Sequence, residues 1–309
     1  MFLICGEALM DVFASGATAT GMQLDARVGG SPFNVAVGLA RLGQPAALFT
    51  SVSRGFLGDR LWQALTDEKV STQAVQRVDA PTTLSLVGLD AQGVPSYAFY
   101  GEGAADRQMP PLPEVRLPAG LKAIHVGSYS TVVEPIATRL RELVTQEQGR
   151  ALISFDPNIR LNVVPAVDRW REVLAWMLPR THLLKISDED LSLLHPGTTP
   201  EDFARQALGQ GVRLVVVTRG GEGAVAWTAK GQQASVPGVK VEVVDTVGAG
   251  DTFQAALFTW LAEHGALYPD ALGALSADAL HHALRFAAGA AALTCSRRGA
   301  DLPRRGELA

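Results

Sequence analysis

The sequence predicts a three-layer α/β/α sandwich with a mostly parallel central sheet and a second, small β-sheet. Strand-like and helix-like stretches alternate from residue 123 onwards, and strands separated by helices pair in parallel with helices on both faces of the sheet. These stretches are strands at 123–126, 152–156 and 181–186 and helices at about 134–148 and 170–178. Two hairpin-like stretches, near 12–28 and 84–100, contain no helix and therefore predict an antiparallel sheet with one free face.

Length and composition indicate an ordinary globular protein. The chain has 309 residues, of which 47% are hydrophobic and 19% are charged, and these fractions are typical of globular domains. Alternating α/β units often continue as one domain over this length. We therefore predict a single domain over residues 1–309, with the small sheet built from about 12–28 and 84–105.

Charge, cysteine content and hydropathy exclude several classes of protein. The net charge is −4 and no dense basic run occurs apart from short pairs such as Arg304-Arg305, which argues against a nucleic-acid-binding surface. Two cysteines, Cys5 and Cys295, are too few for a disulfide framework. No apolar stretch is long enough to span a bilayer, and the first residues lack the regions of a signal peptide. We expect a cytoplasmic protein without membrane contact.

The first strand leads to an acidic residue at a position where ligands often bind. Residues 2–4 are apolar and read as a strand, which continues through Gly6 and Glu7 to Asp11. Ligands of open α/β sheets gather beyond the carboxyl ends of the strands. Position alone nevertheless favours a solvated turn acid for Asp11.

The stretch from Gly29 to Gly43 predicts a tight turn followed by a helix. Gly29 and Gly30 allow a close backbone approach, and Gly43 is a typical residue just beyond a helix C-terminus. Asn34 lies in the first turn, where its amide can donate and accept hydrogen bonds. From the residues alone, Asn34 is either a capping residue or a ligand-binding residue.

Residues 244–253 predict an anion-binding turn between a strand and a helix. A β-branched run at 239–244 predicts a buried strand, and a helical pattern starting near Phe253 follows it. The residues Gly248, Ala249 and Gly250 let the backbone approach a ligand, and the first amides of a helix are unpaired and attract anions. Asp251 is either an N-cap or a base that accepts a proton from an attacking hydroxyl. The residues alone support the N-cap and the base interpretations of Asp251 equally.

Two of these stretches resemble the signatures of one protein family. Residues 245–251, D-T-V-G-A-G-D, resemble the D-T-x-G-A-G-D motif of the ribokinase-like (PfkB) carbohydrate kinases, with Val247 where Thr is common. The resemblance implies that Asp251 is the catalytic base and that the turn amides of Gly248, Ala249 and Gly250 form an anion hole. Residues 29–53 resemble the family's G-G-x-x-x-N signature. This match implies that Gly30 and Asn34 contact sugar hydroxyls. Asp11 adds a carboxylate, and the three residues together match a ring of vicinal hydroxyls.

Two shorter stretches resemble further parts of the same family. The small sheet resembles the β-lid that closes over the sugar, and residues 99–106 resemble the F-Y-x-x-x-x-A-D stretch of fructokinase-like members. Sugar stacking and packing inside the lid are equally good interpretations of Phe99. Residues 156–160, D-P-N-I-R, resemble the family's D-P-N-x-R motif, which implies that Arg160 holds substrate or phosphate.

The predicted metal and nucleotide residues depend on weaker matches. Residues 185–190 occupy the place of the family's N-x-x-E motif, which holds magnesium through water, with Ser187 at the Asn position and Asp190 at the Glu position. Glu189 is the alternative acid, and an acid-rich helix N-terminus would explain the same pattern. The resemblance also implies a nucleotide turn at Thr218, Gly220 and Gly223 and a nucleotide contact at Ser187 and at the turn glycines 248 and 250. On the helix expected at about 278–292, small residues beginning with Ala287 would admit adenine, although close helix packing would also explain them.

The resemblance implies an ATP-dependent sugar kinase with Mg²⁺, and it leaves potassium dependence open. The chain lacks the P-loop, the complete dinucleotide fingerprint and the H-E-x-x-H metal motif, and these absences weigh against P-loop enzymes, nicotinamide oxidoreductases and H-E-x-x-H metalloenzymes. D-Fructose is the expected substrate, with 2-keto-3-deoxygluconate or an aminoimidazole riboside or other nucleoside as alternatives. A non-catalytic sugar or nucleotide sensor on the same fold is the alternative of a different class. Open strand edges on the lid favour a homodimer.

Overall fold

The computed structural model describes residues 1–89 and 95–308, and this part contains thirteen strands and nine α-helices. The strands are β1 (Phe2–Cys5), β2 (Leu9–Ala17), β3 (Met22–Gly29), β4 (Ala46–Ser53), β5 (Val75–Val78), β6 (Leu84–Leu89), β7 (Pro95–Tyr100), β8 (Ala123–Gly127), β9 (Leu152–Asp156), β10 (Leu183–Ser187), β11 (Leu214–Thr218), β12 (Ala224–Thr228) and β13 (Gln233–Val236). The helices are α1 (Ser31–Arg41), α2 (Phe56–Asp67), α3 (Ile136–Glu147), α4 (Val167–Met177), α5 (Asp188–Leu194), α6 (Pro200–Gly209), α7 (Ala249–Glu263), α8 (Pro269–Gly273) and α9 (Ala277–Cys295).

A nine-stranded sheet forms the centre of the molecule. Its spatial order is β13-β12-β11-β10-β9-β8-β1-β4-β5, and every neighbouring pair from β11 to β5 is parallel. At the other edge β12 and β13 are antiparallel to their neighbours. The central strands β1, β8 and β9 are buried along their whole length because helices cover both faces. The predicted three-layer α/β/α fold is confirmed.

Helices enclose two apolar cores, one on each face of the sheet. Side chains of α1, α2, α7 and α9 build the core on one face, and side chains of α3, α4 and α6 build the core on the other. In α7, residues 252–261 are all buried, so this helix runs through the interior rather than along the surface. The longest helix, α9, has 19 residues, but no helix in the described ranges is long and apolar enough to cross a membrane.

The small sheet has the order β3-β2-β6-β7 and is mixed, whereas the sequence predicted an antiparallel sheet. Each hairpin is antiparallel, but β2 and β6 pair in parallel. The reason is that both hairpins leave the main sheet from the same edge, so their first strands run in the same direction side by side. The strand β2 also begins at Leu9, earlier than the expected residue 12. Residues 90–93 (Asp90-Ala-Gln-Gly93), which the sequence predicts as the turn of the hairpin near 84–100, lie outside the described residues.

The valine-rich segment before α7 is not a buried strand, so that prediction is wrong. Val239, Val243 and Val244 are 48%, 62% and 58% exposed, and the segment has no strand assignment. In the described structure this segment connects the edge strand β13 to α7 without pairing with a strand. Instead, the amides of Val244 and Asp245 donate hydrogen bonds to the Cys295 carbonyl at the end of α9. A β-branched pattern therefore predicts a strand only where a pairing partner exists.

Candidate active site

The N-terminus of α7 lies at the carboxyl-end edge of the parallel strands. Gly248 precedes the helix with φ 79°, and a Cβ at this position would lie only 2.7 Å from the Ala300 Cβ, so only glycine fits. In the described structure the amides of Gly250 and Asp251 have no acceptor, whereas the Ala249 amide donates to the Thr246 carbonyl at 3.3 Å. Two free amides at a helix N-terminus form a site for an anion.

Both oxygens of the Asp251 carboxylate are held by α1. Ser31 Oγ donates to Oδ1 at 2.6 Å, and Asn34 Nδ2 donates to Oδ2 at 2.8 Å. Gly248 is the N-cap of α7 and Gly30 is the N-cap of α1, so neither Asp251 nor Asn34 is a capping residue. Burial raises the Asp251 pKa, while the Ser31 and Asn34 hydrogen bonds oppose this increase. The result is an oriented carboxylate beside the free amides.

Asp11 and Gly30 lie in the same pocket as Asp251. Burial raises the Asp11 pKa to about 6; a hydrogen bond with Ser85 opposes the increase, and the neighbouring Asp251 charge adds to it. A Cβ at Gly29 would collide with the Asp11 carboxylate, so this glycine makes room for it. Gly30 has φ 106° and rests against the Glu7 carbonyl. The structure therefore brings the predicted sugar residues and the predicted base together.

Phe99 occupies the far end of a row of side chains across the small sheet. The register places Arg27, Asp11, Ser85 and Phe99 directly opposite one another on β3, β2, β6 and β7. The Phe99 ring makes an edge contact with Tyr129 at 5.2 Å between centroids. Phe99 thus packs against Tyr129 of the main body, and it also stands at the end of the row of side chains that contains Asp11.

A buried lysine, Lys185, lies beneath the α7 turn. Its Nζ is 2.5 Å from Asp156 Oδ2, and both residues are at most 6% exposed. The same Nζ lies 3.8 Å from the position that a Cβ on Gly250 would occupy. The Lys185 charge opposes the increase in the Asp251 pKa, as does that of Arg160, an exposed residue. Two positive charges therefore act on the Asp251 carboxylate beside the free amides.

The acids at the start of α5 differ in their surroundings. Ser187 is the N-cap of this helix, and its Oγ accepts a hydrogen bond from the Asp190 amide at 3.0 Å. Asp190 is 8% exposed and accepts the Ile159 amide at 3.2 Å, whereas Glu189 is exposed. Burial, together with the Asp156 charge, raises the Asp190 pKa to about 6. Among residues 1–89 and 95–308, no group of three or more His, Cys, Asp or Glu side chains could hold a metal ion.

The predicted nucleotide residues lie at the ends of β10 and β11, in the turn after β11 and at the start of α7, with one exception. Ser187 and Thr218 are direct neighbours in the pairing of β10 with β11. Gly220 has φ 48° and an open environment, and Gly223 has φ 96° where a Cβ would collide with the Val236 carbonyl. The exception is Ala287, whose side chain is fully buried in the core, so close helix packing explains its small size.

A scan against protein-family models matches residues 3–305 to the pfkB family carbohydrate kinases. The chain belongs to this family. The family membership predicted from the two signatures is thereby confirmed.

Other members of the pfkB family resemble this chain over nearly its whole length. A fructokinase of Rhizobium leguminosarum bv. trifolii is 33% identical over 305 residues, which cover 99% of this chain and 91% of the relative. A fructokinase of Xylella fastidiosa, solved with bound ATP, has a TM-score of 0.88 and 27% identity, covering 99% of this chain and 96% of that one. A fructokinase of Vibrio cholerae O395, solved with fructose, ADP and calcium, has a TM-score of 0.83 and 27% identity over 99% and 96% of the two chains.

Sequence reasoning missed two residues of this pfkB-family site. Ser31 lies between the Gly29-Gly30 turn and Asn34, and its hydroxyl contact with Asp251 spans 220 residues of chain. No local pattern carries such a contact. Lys185 had a visible signal, because it is the only charged residue in the otherwise buried strand β10. A lysine inside an apolar strand needs a partner, which here is Asp156.

Proposed function

We propose that this pfkB-family protein transfers the γ-phosphoryl group of ATP to the 6-hydroxyl of D-fructose, producing fructose 6-phosphate and ADP. The observation that carries the chemistry is the Asp251 carboxylate, which is held by Ser31 and Asn34 beside two free helix amides. The choice of fructose is supported by the similarity to the fructokinases of Rhizobium leguminosarum and Xylella fastidiosa and to the fructose-bound enzyme of Vibrio cholerae.

Asp251 acts as the general base in this proposal. It accepts the proton of the 6-hydroxyl while that oxygen bonds to the γ-phosphorus and the bond from phosphorus to the bridging oxygen of ADP breaks. The hydrogen bonds from Ser31 and Asn34 leave the carboxylate one orientation. They also favour its ionised form, against the burial that raises its pKa.

Charge that develops on the transferred phosphoryl group is stabilised from several directions. The amides of Gly250 and Asp251 face it, and Lys185 adds positive potential from beneath the turn. Arg160 lies across the pocket, where its planar guanidinium suits phosphate or sugar oxygens. Phosphoryl transfer depends mainly on positioning and charge neutralisation, so this arrangement suits the reaction.

Asp11, Gly30 and Asn34 hold the sugar, with Ser85 and Phe99 beside them on the small sheet. Asp11 accepts hydroxyl hydrogen bonds, and the bare backbone at Gly30 lets the ring approach. In this proposal the small sheet closes over the sugar and excludes water, which would otherwise accept the phosphoryl group. Selection among sugars comes from the small sheet and Arg160.

ATP would lie along the ends of β10 and β11, where Ser187, Thr218, Gly220 and Gly223 contact it. The donor set fits Mg²⁺, because the carboxylate of Asp190 is near this edge and the ion prefers to share carboxylates with phosphates and water. Asp190 would hold the ion through water, and Glu189 is the alternative. When bound, Mg²⁺ supplies charge neutralisation at the terminal phosphates.

Asp190→Asn is expected to raise the Mg²⁺ concentration needed for half-maximal activity, with the KM for fructose little changed. The reason is that an amide attracts the hydrated cation less than a carboxylate does. The measurement is activity against Mg²⁺ concentration at fixed ATP. Glu189→Gln is the matched control, since this exposed neighbour should have no effect. The opposite result, with the defect in Glu189→Gln alone, assigns the metal role to Glu189.

The substrate test measures ADP release with saturating Mg-ATP across fructose, ribose, adenosine, an aminoimidazole riboside and 2-keto-3-deoxygluconate. We expect fructose to give the highest kcat/KM. A site that reads hydroxyls leaves its own polar groups unpaired when an analogue lacks those hydroxyls, and such mismatches cost about 10⁴-fold or more in other enzymes. If ribose or a nucleoside is preferred, the kinase assignment stands and the fructose proposal fails.

One observation favours 2-keto-3-deoxygluconate as the second candidate. Arg107 lies 5.8 Å from the Phe99 ring centroid and 5.8 Å from that of Tyr129. Within the described ranges its buried Nε has no hydrogen-bond partner, and its charge acts on Asp106 without an ion pair. An arginine beside Phe99, at the end of the row of side chains that contains Asp11 and Ser85, suits a substrate carboxylate. The keto acid carries this group and fructose lacks it.

We also propose a homodimer formed through the small sheet. Its outer strands β3 and β7 have open edges, and Met22, Leu24 and Tyr100 are 67%, 51% and 62% exposed. Exposed apolar side chains beside an unpaired strand edge suit a second copy of the same surface. Sedimentation equilibrium would measure the mass, and a monomer at micromolar concentration would contradict the proposal.

A further inference from the structure

Four connections join the small sheet to the main body, and they meet at one buried polar cluster. Glu7 precedes β2, Gly30 follows β3, Thr83 precedes β6, and Asp106 follows β7. Glu7, Thr83 and Asp106 are 2%, 0% and 1% exposed. Any movement of the small sheet relative to the main body must therefore bend these four connections, which lie next to the two buried acids Glu7 and Asp106.

Glu7 supports the loop that leads to the base-holding helix. Its Oε2 accepts a hydrogen bond from Ser130 Oγ at 2.5 Å, and Ser128 also bonds to the carboxylate. The carbonyl of Glu7 lies 2.8 Å from the position of a Cβ on Gly30. Gly30 is the N-cap of α1. The next residue of this helix, Ser31, donates a hydrogen bond to Asp251 and so helps to orient its carboxylate.

Asp106 fixes the other side of the cluster. Its Oδ1 accepts Thr83 Oγ1 at 2.5 Å and its Oδ2 accepts the Tyr129 hydroxyl at 2.7 Å. Tyr129 and Ser130 are adjacent in a single 3₁₀ turn, so this turn bonds to both acids at once. Through Thr83, Asp106 is tied to the strand that enters the small sheet.

We propose that Glu7 and Asp106 are positioning residues that hold the small sheet closed over the sugar, and that the closed arrangement accommodates one negative charge in this cluster but not two. The inference rests on the proposed function for the sugar and for closure. In the described structure neither carboxylate forms an ion pair; the Arg107 charge acts on Asp106 from outside hydrogen-bond distance, and its guanidinium faces the rings of Tyr129 and Phe99. Two buried like charges without a cation between them repel strongly.

Titration of Glu7 makes this inference testable. Burial raises the Glu7 pKa to about 7; the Ser130 and Ser128 hydrogen bonds oppose this, and the Asp106 charge adds to it. Burial also raises the Asp106 pKa, against the hydrogen bonds of Thr83 and Tyr129 and the charge of Arg107, and it raises that of Tyr129, which stays neutral. The pKa of Glu7 in this structure lies above its ordinary value of 4.5, so its stabilising effect is present below that value and is lost as pH rises from there through about 7.

The test is the KM for fructose between about pH 5 and about pH 9, measured in the wild type and in Glu7→Gln so that the Asp11 transition near 6 is common to both. The ratio of the wild-type KM to the Glu7→Gln KM should rise with pH up to about 7, approaching about tenfold per pH unit, and level off above it, while kcat changes less. Glu7→Gln keeps the shape and removes the charge, so it lacks this rise. Ser130→Ala removes a bond that favours ionisation, so its rise should continue to higher pH before it levels off. Glu102→Gln, an exposed acid after β7, is the matched control and should behave as the wild type.

The proposal for Glu7 and Asp106 is overturned if Glu7→Gln shows the same rise in KM as the wild type, or if the wild-type KM is flat over this range. If Glu7→Gln does not fold, the direction of the shift in Ser130→Ala decides instead, and an unshifted curve contradicts the proposal. Failure of the proposed function has a different signature, because the wild type would then not turn over fructose at any pH. The same curves would in that case be measured with the sugar it does accept.

Discussion

Asp251→Asn is expected to lower kcat for fructose phosphorylation by at least about 100-fold, the usual loss when a general base is removed. The amide keeps the shape of the side chain and one acceptor oxygen, so the fold and the position of α1 should persist. The carboxylate that accepts the proton is lost. Because Asp251 would act mainly in the transition state, the Kd values of ATP and fructose should change little.

On the same preparation, fixed-time assays of ADP release would measure kcat, and titration calorimetry would measure the Kd values of ATP and fructose. Ser31→Ala is the matched control, because it removes one hydrogen bond to Asp251 and leaves the carboxylate itself. Its kcat should fall less than that of Asp251→Asn. Near-wild-type turnover in Asp251→Asn would remove the catalytic assignment. A wild type that binds both ligands without turnover would favour the sensor alternative.

Lys185→Met is expected to destabilise the protein by about 3–5 kcal/mol, since it leaves a buried carboxylate unpaired at Asp156. Activity should fall as well, because the cation beneath the Gly250 amide disappears. Denaturant unfolding and kcat would both be measured. Taken alone, this variant would not separate a structural role of Lys185 from a catalytic one.

The double variant Lys185→Met with Asp156→Asn separates them. Neutralising Asp156 removes the unpaired charge, so the double variant should recover much of the free energy of unfolding that Lys185→Met alone loses. If Lys185 also stabilises the transferred phosphoryl group, kcat should stay low in the double variant. Recovery of kcat together with stability would show that Lys185 serves the fold alone.

The sequence was most informative where a short stretch of chain determines its own geometry. Gly248 and Gly30 are required by backbone conformations and close contacts that only glycine allows, so the turns that contain them were recognisable from residue type and order. The alternation of strands and helices after residue 123 likewise depends on local periodicity. These features fixed the layers, the α7 turn and the position of Asp251.

The sequence failed where distant segments decide the outcome. The exposed valines at 239–244 have strand-like residues but no neighbouring strand, and the parallel pairing of β2 with β6 follows from where two separate hairpins leave the main sheet. Ser31 and Lys185 acquire their importance from contacts with residues far away in the chain. Local periodicity carries no information about such contacts.

The row of side chains across the small sheet has a consequence for how this scaffold could diversify. Asp251 and the two side chains that orient it belong to the helices of the main body, whereas Asp11, Ser85 and Phe99 belong to strands of the small sheet. In the proposed function, the phosphoryl-transfer residues therefore all belong to the main body, whereas the sugar contacts are divided between the small sheet and the main-body residues Gly30, Asn34 and Arg160. Exchanging β2, β3, β6 and β7 for those of a relative is expected to shift the sugar preference while leaving Asp251 and its two hydrogen-bond partners in place.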